Sequence, residues 1–143
     1  HHIGSTAIPN IYAKPVIDLL VEVRSHERLD ERSGEMVAIG YEVMGAYGIA
    51  GRRYFRKSNE LGVRTHHVHA FESGSPEIKR HLAFRDYMIA HPHDAQRYSE
   101  LKRQLARAYP EDIDSYMDGK DSFIKEIDCR AAKWRETARQ EDP

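Results

Sequence analysis

The chain has 143 residues, the size of one ordinary domain, with 40% hydrophobic and 31% charged side chains. Its 22 basic and 23 acidic residues leave a net charge of −1, which argues against a generic nucleic-acid coat. A single cysteine, Cys129, excludes an internal disulfide framework and fits a reducing compartment. No apolar run approaches the roughly 20 residues of a membrane span, so a single cytoplasmic domain over 1–143 is expected, with no membrane partner.

The opening His2-Ile3 leads into a turn at Gly4-Ser5-Thr6. Residues 15–23 follow as a strand whose Ile17, Leu19, Val21 and Val23 make one apolar face. Asp18 and Glu22 flank Leu20 on the other, so Asp18 stands among neighbours that normally exclude a charge. Ser25 is placed to cap a helix over about 26–38, ended by Gly40. A short strand at 41–44, a glycine-rich loop at 45–51, and a hairpin of strands 52–57 and 63–71 come next. After Pro76 the apolar period becomes helical: one helix up to Pro92, a second to Tyr109, and a third from about Ile113 to Arg139, interrupted by Gly119. Residues 1–75 are thus mainly sheet and 76–139 helical. That order predicts an α+β fold, a mixed sheet packed against helices with a helical C-terminal half.

Two groups of residues carry candidate chemistry. Gly4 lets the backbone approach a phosphate, Ser5 and Thr6 offer hydroxyl donors, and Lys14 adds a cation. As a bare turn the same residues need no ligand. In the hairpin, a register pairing Arg53 with His67 would put Arg53, Phe55, Lys57, Thr65, His67 and His69 on one face. Two imidazoles at i and i+2, with Asp18 on a neighbouring strand, suit a metal; they equally suit phosphate oxygens, or a solvent-facing polar hairpin. Between Arg52 and Arg85 there are eight basic and three acidic residues, a local surplus that marks an anion site. Arg80 and Arg85 are part of it, with Asp86 expected to pair with a nearby arginine. His91-Pro92-His93 reads as the junction of two helices, Phe123 and Ile124 as core, and Lys120 as a side chain that snorkels or reaches an anion.

The run His2-Ile3-Gly4-Ser5-Thr6-Ala7-Ile8-Pro9, then Ala13-Lys14-Pro15-Val16-Ile17-Asp18, resembles the opening signature of the GrpB-type family. Arg80-His81-Leu82-Ala83-Phe84-Arg85-Asp86-Tyr87 with Ala90-His91-Pro92, followed by Tyr98, Leu101-Lys102, Tyr116, Lys120 and Phe123-Ile124, is similar to its later one. The resemblance implies a helical segment ahead of His2, so the sequence is expected to begin inside the domain. It also implies a nucleotidyltransferase-like fold, whose sites join a Gly-Ser turn to strand-borne acids that bind two divalent metals. Some members of the family are joined to dephospho-coenzyme A kinase, which implies a nucleotide or coenzyme A setting. The pattern places a second acid two residues after the first, and here that position is Leu20.

Together these readings predict a nucleotide or other phosphorylated small molecule as partner. Gly4, Ser5, Thr6, Lys14, Arg53, Arg80 and Arg85 would hold the anion. Asp18, His67 and His69 would act as catalytic groups and as ligands of Mg²⁺, supporting phosphoryl or nucleotidyl transfer. The alternative is a non-catalytic anion-binding or protein-interaction module that has lost the acid pair. A histidine-zinc hydrolase is a weaker third reading, since no H-E-x-x-H spacing occurs.

Overall fold

The computed structural model describes residues 1–141, and the chain groups into two compact units. The first comprises His1–Ala7 and Lys14–Lys79; the second comprises Ile8–Ala13 and the chain from Arg80 onward.

The first unit is built on a five-stranded mixed sheet. Strand β1 spans His2–Ile3 and β2 spans Ile17–Val23; a short 3-10 turn, Ser5–Ala7, follows β1. Helices α1 (His26–Glu31) and α2 (Ser33–Ala38) precede β3 (Tyr41–Val43), β4 (Arg52–Ser58) and β5 (Arg64–Glu72). The spatial order is β1-β2-β5-β4-β3. Strands β2 and β5 run parallel and the other neighbours antiparallel. A parallel pair needs a long crossover, here supplied by everything from α1 to β4.

The alternation expected for β2 holds in part: Val21 of the apolar face is exposed, and Leu20 on the other face is fully buried. Leu19 and Val23 join Phe55, Val68, Ala70 and Tyr41 in a core that Leu29 of α1 and Met36 of α2 complete. Ser25 Oγ accepts the Arg28 amide at 3.3 Å, the expected cap. The predicted single helix over 26–38 is instead two short ones, broken at Arg32, whose ψ of 11° leaves the helical range.

The expected hairpin register is corrected. Arg56, not Arg53, pairs with His67, and Tyr54 pairs with His69. The ladder shifts register between Lys57 and Ser58, with Thr65 as the extra residue. Asn59 Oδ1 accepts the amides of Leu61 and Val63 and closes the loop beyond it. The register differs from the expected one by three residues, an odd number, so β4 presents its opposite face. Arg53, Phe55 and Lys57 therefore lie on the α1–α2 side, while Arg52, Tyr54 and Arg56 share the face of His67 and His69.

The second unit is helical: α3 (Pro76–Ala90), which starts at the end of the first unit, then α4 (Pro92–Ala108) and α5 (Ile113–Glu141). Ala83, Tyr87, Met88, Ala95, Tyr98, Ile127 and Ala131 form its core with Ile8, and Phe123, Ile124 and Trp134 pack on it. His91 and Pro92 do mark a helix junction, with Pro92 opening α4 and His91 Nδ1 held 2.8 Å from the Tyr87 carbonyl oxygen. Gly119, expected from sequence to interrupt this helix, does not; α5 runs through it. A Cβ at Gly119 would lie 2.4 Å from Leu105 Cδ2, so the glycine allows α5 to approach α4 closely.

Candidate functional site

Register brings three polar side chains together on one face of the sheet. Asp18 on β2 pairs with His67 on β5, and Leu20 pairs with His69, so all four side chains point the same way. Asp18 Oδ1 lies 3.1 Å from His67 Nδ1 and 3.3 Å from His69 Nε2. An ionised carboxylate only accepts, so both ring nitrogens donate to it. Burial pushes the Asp18 carboxyl up, but hydrogen bonds and charge from the two imidazoles outweigh it and hold the group down to about 2. The three side chains are 26%, 28% and 17% exposed, open enough for a small group to reach.

The opening turn meets this cluster at Gly4. Its φ is +73°, and a Cβ there would sit 2.5 Å from Asp18 Oδ2. The carboxylate therefore occupies the volume that any other residue would need. Thr6 follows in the 3-10 turn, but its hydroxyl is bonded to His2 Nε2 at 2.8 Å and lies 3.5 Å from the Val16 carbonyl oxygen. Ser5 begins that turn, and Lys14 lies exposed in the loop before β2.

Arg53 lies on the opposite sheet face, where its guanidinium grips Asp30 of α1 through bonds of 2.8 and 3.0 Å. Arg80 and Arg85 belong to the second unit; Arg80 contacts Asp128 at 3.3 Å and Arg85 contacts Asp86 at 2.8 Å. The pairing expected for Asp86 is thus present. Leu20, at the position of the second acid in the resembling pattern, is fully buried. Glu22, one step further on that face, is engaged by His1 Nε2 at 2.7 Å.

Two residues absent from the sequence reading border the histidines. The Tyr54 ring lies 5.7 Å from His67 and 5.4 Å from His69. Arg52 Nη1 lies 3.4 Å from His69 Nδ1, while its other nitrogens donate to the carbonyls of Ala46 and Tyr47. Only a correct hairpin register places either residue there, and the bulge at Thr65 hides it from a simple count.

Residues 1–130 match the family model for GrpB protein. The chain belongs to the GrpB family. As a GrpB-family chain it is 53% identical over 135 residues to UPF0157 protein YqkA of Bacillus subtilis, covering 94% of this chain and 39% of that protein. It is 38% identical to Glutamate-rich protein GrpB of Alkalihalophilus pseudofirmus, covering 87% and 73%. A crystal structure of conserved protein GrpB from Enterococcus faecalis matches with a TM-score of 0.87 and 49% identity, over 94% of this chain and 80% of that one. A more distant match, 28% identical, is Dephospho-CoA kinase of Mycobacterium leprae, of which the chain spans 40%. The chain thus spans about two fifths of both YqkA and that kinase. Among the described residues, no helix of this GrpB-family chain is long and apolar enough to cross a membrane.

Proposed function

We propose that the first unit binds a phosphorylated small molecule of the nucleotide class through a divalent cation held by Asp18, His67 and His69. The observation that carries this is the convergence of one carboxylate and two imidazoles, whose ligand atoms all lie within 4.8 Å of one another, on the residue Gly4 leaves room for. Ligands of one first-row metal stand about 3–3.5 Å apart, close to the two distances from Asp18 Oδ1. The donor chemistry favours Mn²⁺, Fe²⁺, Co²⁺ or Zn²⁺ over the Mg²⁺ expected from sequence, because Mg²⁺ takes oxygen ligands and only one of the three is oxygen.

A bound cation would supply charge for phosphate oxygens. The chain's own contribution is the turn after Gly4, which brings backbone close to the Asp18 carboxylate. The likeness to the kinase's name makes coenzyme A precursors a sensible part of any ligand panel, alongside nucleotides and sugar phosphates. With one strand-borne acid in place of two, a two-metal transfer is not the reaction proposed; a single-metal phosphoryl or nucleotidyl transfer is.

A second reading, a metal-independent anion pocket or interaction module, is favoured by the burial of Leu20 where the second acid would stand. Thermal shifts across that panel, with Mn²⁺ and with a chelator, separate the two. A shift that needs both ligand and metal and disappears in Asp18→Asn supports the first reading. A chelator-insensitive shift supports the second, and no shift with any ligand removes both small-molecule readings, leaving the interaction module.

A further inference from the structure

The segment between β3 and β4 folds against the sheet face that carries Asp18, His67 and His69. It begins as an extension of the sheet: the Met44 amide donates to the Tyr54 carbonyl at 2.9 Å, and the Tyr54 amide to the Gly45 carbonyl at 2.8 Å. Arg52 then fastens it, with Nε donating to the Ala46 carbonyl at 3.2 Å and Nη2 to the Tyr47 carbonyl at 2.9 Å. The same guanidinium reaches His69 Nδ1 at 3.4 Å, so one side chain ties the segment to the triad. Tyr47 holds a φ of +47°, a region that disfavours bulky side chains. The backbone gives no reason for a tyrosine there, and the ring must supply one.

That ring stacks on Tyr54, with centroids 5.4 Å apart and planes 24° from parallel. Tyr54 is 8% exposed, whereas Tyr47 is 57% exposed. One face of Tyr47 thus covers Tyr54 and the other meets solvent. Two ring contacts of 5.4 Å each, Tyr47 to Tyr54 and Tyr54 to His69, separate it from the triad. Arg56, opposite His67 in the ladder, brings its guanidinium to 5.8 Å from the Tyr47 ring. Burial pushes the Tyr54 hydroxyl up while the charges of Arg64, Arg56 and Arg52 oppose it, so three cations act on the ground between Tyr47 and the triad.

We infer that the open face of Tyr47 binds the base of a nucleoside diphosphate whose phosphates lie toward Asp18, His67 and His69. This rests on the metal-assisted phosphate binding proposed for that triad, and it adds which ligand of that class is preferred. An exposed ring stacks any flat base whatever the pattern of its edges, so purine and pyrimidine nucleotides both fit. A sugar phosphate has no such surface and leaves Tyr47 bare. The surrounding guanidiniums favour a charged ligand over a free nucleoside. A diphosphate, longer than a monophosphate by one P–O–P link, suits the two-ring separation between base and triad.

The test is calorimetric titration of the Mn²⁺-loaded chain with ADP and with inorganic pyrophosphate, which has two phosphates and no base. Tyr47→Ala should weaken ADP by about tenfold or more and change pyrophosphate by less than about twofold. Tyr47→Trp, which keeps a ring face, should hold ADP affinity within about threefold of the unaltered chain. Tyr47→Leu still covers Tyr54 but offers no ring, so it should lose ADP as the alanine variant does. It keeps the test decisive if Tyr47→Ala disturbs the segment. Equal losses for both ligands, which would make Tyr47 only a support of the segment, overturn the proposal, as does ADP affinity retained in Tyr47→Leu. Pyrophosphate binding without ADP binding overturns it while leaving the triad reading intact, and failure of both ligands on the unaltered chain overturns the two together.

Discussion

Gly4 and Asp18 compete for one volume: the Cβ that any other residue would place at position 4 lies 2.5 Å from Asp18 Oδ2. The turn and the carboxylate are therefore one structural feature, although fourteen positions separate them in the chain. Gly4→Ala should lose about 1 kcal/mol for the positive φ alone, and more from the clash. In an Asp18→Gly background only the backbone part should remain. Urea unfolding of the two single variants and the double measures the coupling, which is expected to exceed about 0.5 kcal/mol. Additive losses would mean that the two residues do not meet.

Acid should weaken the first unit through the same carboxylate. Asp18 titrates near 4 when unfolded and is held down to about 2 in the fold, so its contribution is complete above about pH 4 and lost as pH falls toward 2. The expected size is about 2 kcal/mol. Chemical unfolding at pH 5 and pH 2.5 should show a smaller pH dependence in Asp18→Asn than in the unaltered chain. Equal dependence would assign the acid sensitivity to other groups.

Lys102 predicts a second rise of stability with pH, at the alkaline end. Its folded pKa, about 8, lies below the ordinary 10.5, so the unfolded chain binds more protons between these values and stability from this group rises with pH there. The gain is on the order of 2 kcal/mol between pH 7.5 and pH 10. Lys102→Met should be at least as stable at pH 7 and should lack this rise. A Lys102→Met protein that gains as much as the unaltered chain contradicts the assignment.

Arg52 opposes a metal at His69. A guanidinium only donates, so at 3.4 Å it requires a lone pair on Nδ1 and leaves the proton on Nε2, the atom facing Asp18. A neutral imidazole bound to metal through Nε2 carries its proton on Nδ1 instead. Arg52→Gln supplies an oxygen that can accept that proton and should tighten metal binding about tenfold, measured by calorimetry on the folded variant. Weaker or unchanged binding would mean that His69 does not ligate through Nε2.

Much of this was readable in the sequence, for reasons that differ by element. The alternation in β2 placed Asp18 opposite an apolar face, and periods of helical spacing located α3 to α5 within a few residues. Hairpin faces were not readable, because one bulged residue and a loop closed by the Asn59 side chain set the register, and neither has a period. That error put Arg53 in the site and left Arg52 and Tyr54 out. Local charge gave no sign of the acid that Arg80 meets: Asp128 lies 48 positions away. Gly119 looked like a break because a glycine's low helix propensity is visible in sequence, while the Leu105 side chain that requires it is not.

The most direct measurement is a titration of Co²⁺ into the metal-free chain, read by the visible absorption of the bound ion. The account predicts one saturable site with nitrogen-ligand bands, lost in Asp18→Asn and in His67→Ala without loss of fold. Absence of such bands, or bands that persist in both variants, would contradict it.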